Sequence, residues 1–519
     1  MNDDAGAATA LRNELSRRRW LVLGILCTTL LLVGMDLTIL HVAVPTLSQQ
    51  LLPSASQLLW MVDSYPLTVA AFLVTCGTLS DRVGRKKVLL GGFAVFGLAS
   101  AGAAFATTPV ALIGFRAALG FGAAMIAAAT VAIIRITFPD ARERAFALGV
   151  WSACHSAGAA IGPIAAGFLL EHSWWGSVFL INLPVVLVAL VVGAVVVPES
   201  RDEAVRRWDA LSAAMSVLGL GGLVYALKQI GEHGAVSPPN LVIGVVAVAL
   251  LIAFVVRQRR IREPLLELSL FADRKFSVAT GAILASFAGY IALMFFATQQ
   301  FQLISGYSPL LAGAALLPMA VANAVGAVFA PKVAAALTDR VAIALALLVF
   351  AGSMSGLALF GSGSGYGVVV ALLAGSGLGV GVVMTLGAEV IMSAAAPSQA
   401  GAAGAIQETS FELGSGLGIV ILGTALSGIY RNTLEPVAGV SPEQHAEAQN
   451  SLGAAVRIAG EMDEQVGAAL RTAAVTAFGN GFTAAALVGG AVLLAMAAVS
   501  WLALRDRSAS PAGEEADRS

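Results

Sequence analysis

Apolar positions in this chain are not spaced for a half-wetted helix or an alternating strand; they fill long uncharged runs separated by short polar stretches. A run of 18 or more such residues covers a hydrocarbon core of about 30 Å as an α-helix. By length and lack of charge the chain predicts spans at 20–46, 58–79, 88–106, 109–134, 145–170, 176–197, 209–228, 239–256, 277–298, 309–330, 341–360, 366–393, 401–429 and 480–504. That is fourteen, an even number, and the short alternating segments of a membrane barrel are absent. The expectation is an all-α polytopic membrane protein. Residues 1–19 are polar and basic, and the run after Trp20 lacks a small-residue cleavage site, so it reads as a first span and not as a signal peptide. Between the last two spans, 430–479 carries apolar residues at helical spacing with acids opposite, which predicts a short helical hairpin outside the membrane. The tail 505–519 is small, polar and aperiodic, as a disordered segment would be.

Composition agrees with this reading. Of 519 residues 58% are apolar and 12% charged, against roughly 45–50% and about 25% in soluble domains. Thirty basic and 31 acidic residues leave a net charge of −1, which supplies no field for nucleic acid. Their placement says more than their number. With fourteen spans, 25 of the 30 Lys and Arg fall in the termini or in loops joining an even span to the next odd one. Four (Lys228, Arg431, Arg457, Arg471) fall in the opposite loops, and Arg116 is the single one within a span. Basic residues stay inside, so both termini are expected in the cytoplasm. Cys27, Cys76 and Cys154 lie within apolar runs and suggest no disulfide framework.

Acids at membrane depth are costly and are functional candidates by default. Asp36 lies roughly 24 Å along the first span, and Asp63 just inside the outer end of the second, so antiparallel neighbours bring them to similar depth. Glu408 and Glu412 are an i, i+4 pair on one face of span thirteen, at roughly 10 and 17 Å from its start. Glu389 lies low in span twelve. Pairing with Arg116 or a backbone bond would give some of them a purely structural role. Low dielectric favours the neutral acid and a nearby cation the carboxylate, so proton and cationic substrate compete for such a group. Trp60, Tyr65, Trp151, Tyr290, Phe295, Phe296 and Phe411 lie in or beside the same spans, and a ring face with a carboxylate holds a flat organic cation. In span five Gly158 and Gly162 are four apart and Pro163 follows, a face that admits close helix contact. His155 reads as packed or water-bonded. The five histidines do not converge, so nothing proposes a membrane-embedded enzyme or a metal centre.

The loop GTLSDRVGRKKVL (77–89) resembles the loop motif of the major facilitator superfamily, matched at Gly77, Leu79, Asp81, Arg82, Gly84, Arg85 and Lys86. LIGFRAALGFGAA (112–124) resembles its fourth-helix motif with Arg116. Gly149, Gly158, Gly162, Pro163 and Gly167 resemble its fifth-helix antiporter motif, with Ala166 where glycine is usual. MDLTILHVAVPTL (35–47) and AGAIQETSFELGSGLG (403–418) are similar to the first- and thirteenth-helix segments of its fourteen-span drug:proton antiporter family. Some members carry an acid in helix ten, where this chain has only Asn323, and PKVAAALTDR (331–340) is a decayed second copy of the loop motif.

The resemblance implies a major facilitator fold of 6+2+6 helices, with six-helix bundles at 20–200 and 263–504 and two inserted helices in 201–262. It implies a monomeric proton-coupled exporter of cationic drugs in a bacterial cytoplasmic (inner) membrane, driven by the proton gradient without a cofactor. Asp36, Asp63, Glu408, Glu412 and Glu389 would couple protons to cations. Trp60, Tyr65, Trp151, Phe295, Phe296 and Phe411 would line the substrate path, Gly77, Asp81, Arg82, Gly84 and Arg85 would gate it, and Arg116, Gly158, Gly162 and Pro163 would hold the frame. An exporter of a lipid, siderophore or native metabolite would share fold and acids, and transport assays separate the two.

Overall fold

The computed structural model of the protein describes residues 2–200, 209–233, 237–261, 264–360, 365–396 and 399–504. The expected linker stretch 201–208 and tail 505–519 lie outside the described residues. Among the described residues, fourteen helices are long and apolar enough to span a membrane. They are α1 (Arg19–Gln50), α2 (Ala55–Val83), α3 (Arg85–Ala104), α4 (Pro109–Thr137), α5 (Arg142–His172), α6 (Ser177–Val196), α7 (Ala210–Gln229), α8 (Pro238–Gln258), α9 (Arg274–Ile304), α10 (Pro309–Leu337), α11 (Asp339–Leu359), α12 (Tyr366–Ala394), α13 (Ala402–Thr433) and α14 (Glu464–Ala503). Their starts are written locally: Thr108, Ser237 and Ser308 each cap a backbone N–H and precede a proline that needs no hydrogen bond in a first turn. Ser54 and Gln57 form a reciprocal capping box at the start of α2.

The two bundles repeat one packing scheme. In the first, α1 packs on α5, α2 on α4, and α3 on α4 and α6; in the second, α9 packs on α13, α10 on α12, and α11 on α12 and α14. Between the bundles α2 meets α13 and α5 meets α10. The inserted helices pack on each other, and α7 also touches α2 and α13 while α8 is almost wholly lipid-facing.

Two expectations change. The last span does not start at 480: one helix of 40 residues runs from Glu464 to Ala503, because the amphipathic stretch expected in the loop continues the helix. The hairpin outside the membrane is therefore shorter, with helices at Pro442–Ala448 and Leu452–Gly460, and it packs on α1 and α14. Lys228 is not a loop residue either; it lies inside α7, fully buried, so Arg116 is not the only basic residue within a span.

Candidate functional site

The frame on which the acids stand is set by close helix contacts. A Cβ on Gly158 would strike the Leu31 carbonyl of α1 and one on Gly162 the Thr38 hydroxyl, which itself donates to the Ala159 carbonyl at 2.9 Å. Only glycine lets α1 and α5 approach this far. Pro163 lies against Gly313 of α10, and Gly167 against Pro309 and Leu310, so another face of α5, about half a turn round from Gly158, meets the second bundle. Gln302, in a π-helical turn at the end of α9, donates to the Val42 carbonyl at 2.8 Å, and Gly453 of the hairpin abuts Ser48. These approaches between bundles lie toward the hairpin end of the helices.

Asp36, at the middle of α1, accepts from the Arg116 guanidinium of α4 and, at 3.2 Å, from Asn182 of α6. Arg116 also donates to the Met61 and Val62 carbonyls of α2 at 3.2 and 3.3 Å and stacks over the Tyr65 ring, 4.7 Å from its centre. Asn182 reaches on to Ser100 at 3.0 Å, and Tyr65 donates to Val33 at 3.2 Å. Asp36, Arg116 and Tyr65 are 0% exposed, so this network ties α1, α2, α4 and α6 together with both oxygens of Asp36 occupied. Asp63, next in α2 after the Val62 carbonyl that the guanidinium holds, pairs instead with Lys228 of α7, Nζ to Oδ1 at 2.7 Å.

Glu408 and Glu412 face a different way. With His155 of α5 they bring one donor atom each within 4.8 Å of one another across the seam between bundles, a trio whose chemistry would suit a cation, organic or metallic. Glu412 is buried and its Oε2 has no hydrogen-bond partner among the described residues, as is true of Ser415 one turn on and Ser286 of α9. A π-helical turn at Ile419–Gly423 follows the acids. Phe411, next to Glu412 in α13, meets Phe287 of α9 at 5.6 Å between ring centres, and Phe287 stacks on Tyr290 at 6.2 Å, a row of rings between the two helices. Glu389 is exposed near the end of α12 and outside this cluster.

The other predicted aromatics are dispersed. Phe295 and Phe296 are 2% and 0% exposed, packed edge-on against His41 and Phe482 respectively, so they present no free surface in this state. Trp151 is half-buried and donates to Thr130 at 3.2 Å, and Trp60 lies under the Lys228 ammonium. In the loop motif Arg85 clasps Asp81 with Nε and Nη2 at 3.0 and 2.8 Å, and its N–H donates to the Ser200 carbonyl at 2.9 Å. Gly84 has φ of 119°, and a Cβ there would sit 2.5 Å from the Glu199 carboxylate, which explains the glycine. Arg82 is exposed, and a Cβ on Gly77 would meet open space.

Sequence reasoning missed Lys228, Asn182 and the partnership of His155 with the glutamates. Lys228 alone left a signal, since the helical apolar pattern of GLVYALKQIGEH continues past it.

Comparison with known proteins follows the same lines. The Major Facilitator Superfamily profile matches residues 26–419. The multidrug efflux pump LfrA of Mycolicibacterium smegmatis is 36% identical over 490 residues, covering 94% of this chain and 97% of that one. The methyl viologen resistance protein SmvA of Salmonella typhimurium is 36% identical over 497 residues, 94% and 98% of the two chains. Among solved structures, an inward-facing, unoccupied bacterial homologue of the lysosomal transporter Spinster superposes with a TM-score of 0.66 at 16% identity, covering 95% of this chain and 99% of that one. With fourteen spans, a repeated six-helix packing, the loop motif and relatives matched along nearly the whole chain, this protein is a member of the major facilitator superfamily.

Proposed function

We propose that the protein is a proton-coupled efflux antiporter of a bacterial cytoplasmic membrane, with both termini inside, acting as a monomer on lipophilic organic cations. The observation that supports this most is Glu412: a carboxyl buried at mid-membrane with an open acceptor, one helical turn from Glu408 and across the seam from His155. A carboxylate left so in a dry site must be neutralised by a proton or by a cation, and it cannot hold both. Because the trio draws on both bundles, its occupant also biases their relative position, and rocking of the bundles would carry the exchange across the membrane. The row of rings at Phe287, Tyr290 and Phe411 suits flat aromatic cations such as dyes and quaternary ammonium antiseptics. Two relatives named for multidrug efflux and for methyl viologen resistance support the same substrate class.

The proton gradient is the energy source. One proton exchanged for a monocation moves no net charge, so a pH unit supplies about 1.4 kcal/mol and the membrane potential nothing. A second proton adds one inward charge, worth roughly 2.3 kcal/mol per 100 mV. Purified protein in proteoliposomes should move ethidium when a pH gradient is imposed and stop when a protonophore collapses it. If no cationic dye moves in a pH-dependent way, the substrate is instead a lipid, siderophore or native metabolite.

A further inference from the structure

The inserted helix α7 does more than join the bundles. Its Val224 is buried with Leu67 of α2 and Val420 of α13, and Trp60, Leu220, Leu227 and Leu417 close around them, so α7 is seated on the seam between the two halves. There Lys228 enters the protein, its ammonium 2.7 Å from Asp63 Oδ1 and 3.9 Å from the centre of the Trp60 ring, with both charged side chains 0% exposed. The second oxygen of Asp63 is buried and has no hydrogen-bond partner among the described residues. A carboxylate on one side and an indole face on the other is how a site receives an organic ammonium, indole being the strongest of the aromatic rings in this role. Lysine, a point charge on a flexible stem, is suited to leave such a place and return to it.

We propose that Asp63 and Trp60 form a cation subsite for the second charge of dicationic substrates, and that Lys228 is its tethered occupant while the hairpin end is shut. Opening that end parts α2 from α13, withdraws α7, and frees the carboxylate for the substrate. Arg116 also reaches this stretch of α2, at Val62 beside Asp63, but its guanidinium is held by Asp36 and by the Met61 and Val62 carbonyls. Lys228 is therefore the cation that can exchange. α2, which carries Asp63, packs on α13, which carries Glu412, with Leu67 against Gly416, so one elongated dication could address both acids.

The proposal rests on the reading of the protein as a cation exporter, and its test is a binding cycle. Methyl viologen, a flat bis-quaternary dication, and ethidium, a monocation, are titrated against detergent-solubilised wild type, Lys228→Met, Asp63→Asn and the Asp63→Asn/Lys228→Met double variant. Lys228→Met should tighten methyl viologen about tenfold or more, the order expected when a desolvated carboxylate changes its cation, and ethidium less. The gain should vanish in the double variant, and Lys228→Arg should leave the affinity as in wild type. Weaker or unchanged methyl viologen binding in folded Lys228→Met, or a gain that survives loss of Asp63, overturns the proposal; a lysine that merely braces α7 would weaken binding of every ligand.

A second measurement needs no variant. Acetylation of the wild-type chain by an amine-reactive ester, read by mass spectrometry at its five lysines, should quicken at Lys228 when methyl viologen is bound and not with ethidium. No change at Lys228 also overturns the proposal. Wild-type proteoliposomes that move no cation would instead defeat the export reading.

Discussion

Asp36→Asn tests whether the acid of α1 is frame or coupling group. The asparagine keeps the shape and the contact with Asn182, but it removes the one anion bound to Arg116 among the described residues, leaving a buried guanidinium with two carbonyls and a ring for company. Breaking one partner of a buried ion pair costs about 3–5 kcal/mol because the remaining charge stays desolvated, whereas removing both is often nearly neutral. Asp36→Asn should therefore be much less stable than wild type. Arg116→Met should lose less, since a lone carboxyl can take up a proton, and Asp36→Asn/Arg116→Met should recover most of the loss. Thermal unfolding of the four proteins in one detergent, with ethidium efflux measured beside it, reads the cycle. An Asp36→Asn protein that unfolds like wild type yet transports nothing would refute the structural assignment and return Asp36 to the coupling acids.

Glu412→Gln fixes that group in its neutral form, so efflux should fail and dye affinity should lose its dependence on pH; unchanged pH-dependent binding would transfer the exchange to Glu408 or His155. Asp81→Asn opens the clasp with Arg85 and should slow every substrate several-fold while dye affinity in detergent stays as in wild type, and a defect confined to one drug class would count against a gating role. Asp63→Asn and Glu408→Gln should each harm bis-quaternary antiseptics more than ethidium, because a dication with one unpaired charge in a dry site is penalised most; equal losses would mean that these acids do not count substrate charge. At the start of α7, burial raises the Asp209 pKa, but hydrogen bonds from Arg257 and Ser212 outweigh it and hold the carboxyl below its usual range. The stability it adds to the α7–α8 pair is present above the unfolded carboxylate range and is lost as pH falls through the lowered value. Asp209→Asn should thus unfold earlier than wild type at pH 7 and match it below the carboxylate range, and a gap that persists in acid would disprove the linkage.

The fold was legible because each level of the chain says the same thing. Uncharged runs set the spans, Ser-Pro and Thr-Pro steps mark where helices begin, and Gly158 and Gly162 announce the α1–α5 contact. The site was legible only in part. The acids stood out since charge in lipid is rare, and pairing of an acid with Arg116 was foreseeable as a structural alternative. What no local pattern contains is which distant helix each acid meets: His155 looks like a packed histidine until α5 and α13 are placed across the seam. Lys228 escaped for a different reason. It sits one residue from the end of a span, where lysine ordinarily reaches water, and only docking of α7 on α2 turns it inward. Phe295 and Phe296 share the composition of a binding wall and the position of a core, and sequence cannot separate those two.

The lipid exposure of α8 bears on how the protein tolerates change. Leu241, Val242, Val245, Val246 and Ile252 are exposed along it, so for them the surrounding acyl chains are the only packing partner, and one apolar residue should serve as well as another. Its real constraint is a narrow strip. Ala247 abuts Gly222 of α7, and the Ala247 carbonyl and Leu251 crowd Gly219, so a larger side chain at 247 would push α7 off its seat. Neutral drift along most of α8 and intolerance at this one alanine are two sides of the same geometry. A library that randomises these exposed positions of α8 among apolar residues should keep its members folded wherever it leaves Ala247 untouched, and fluorophores placed on the lipid side would follow α7 without entering the transport path.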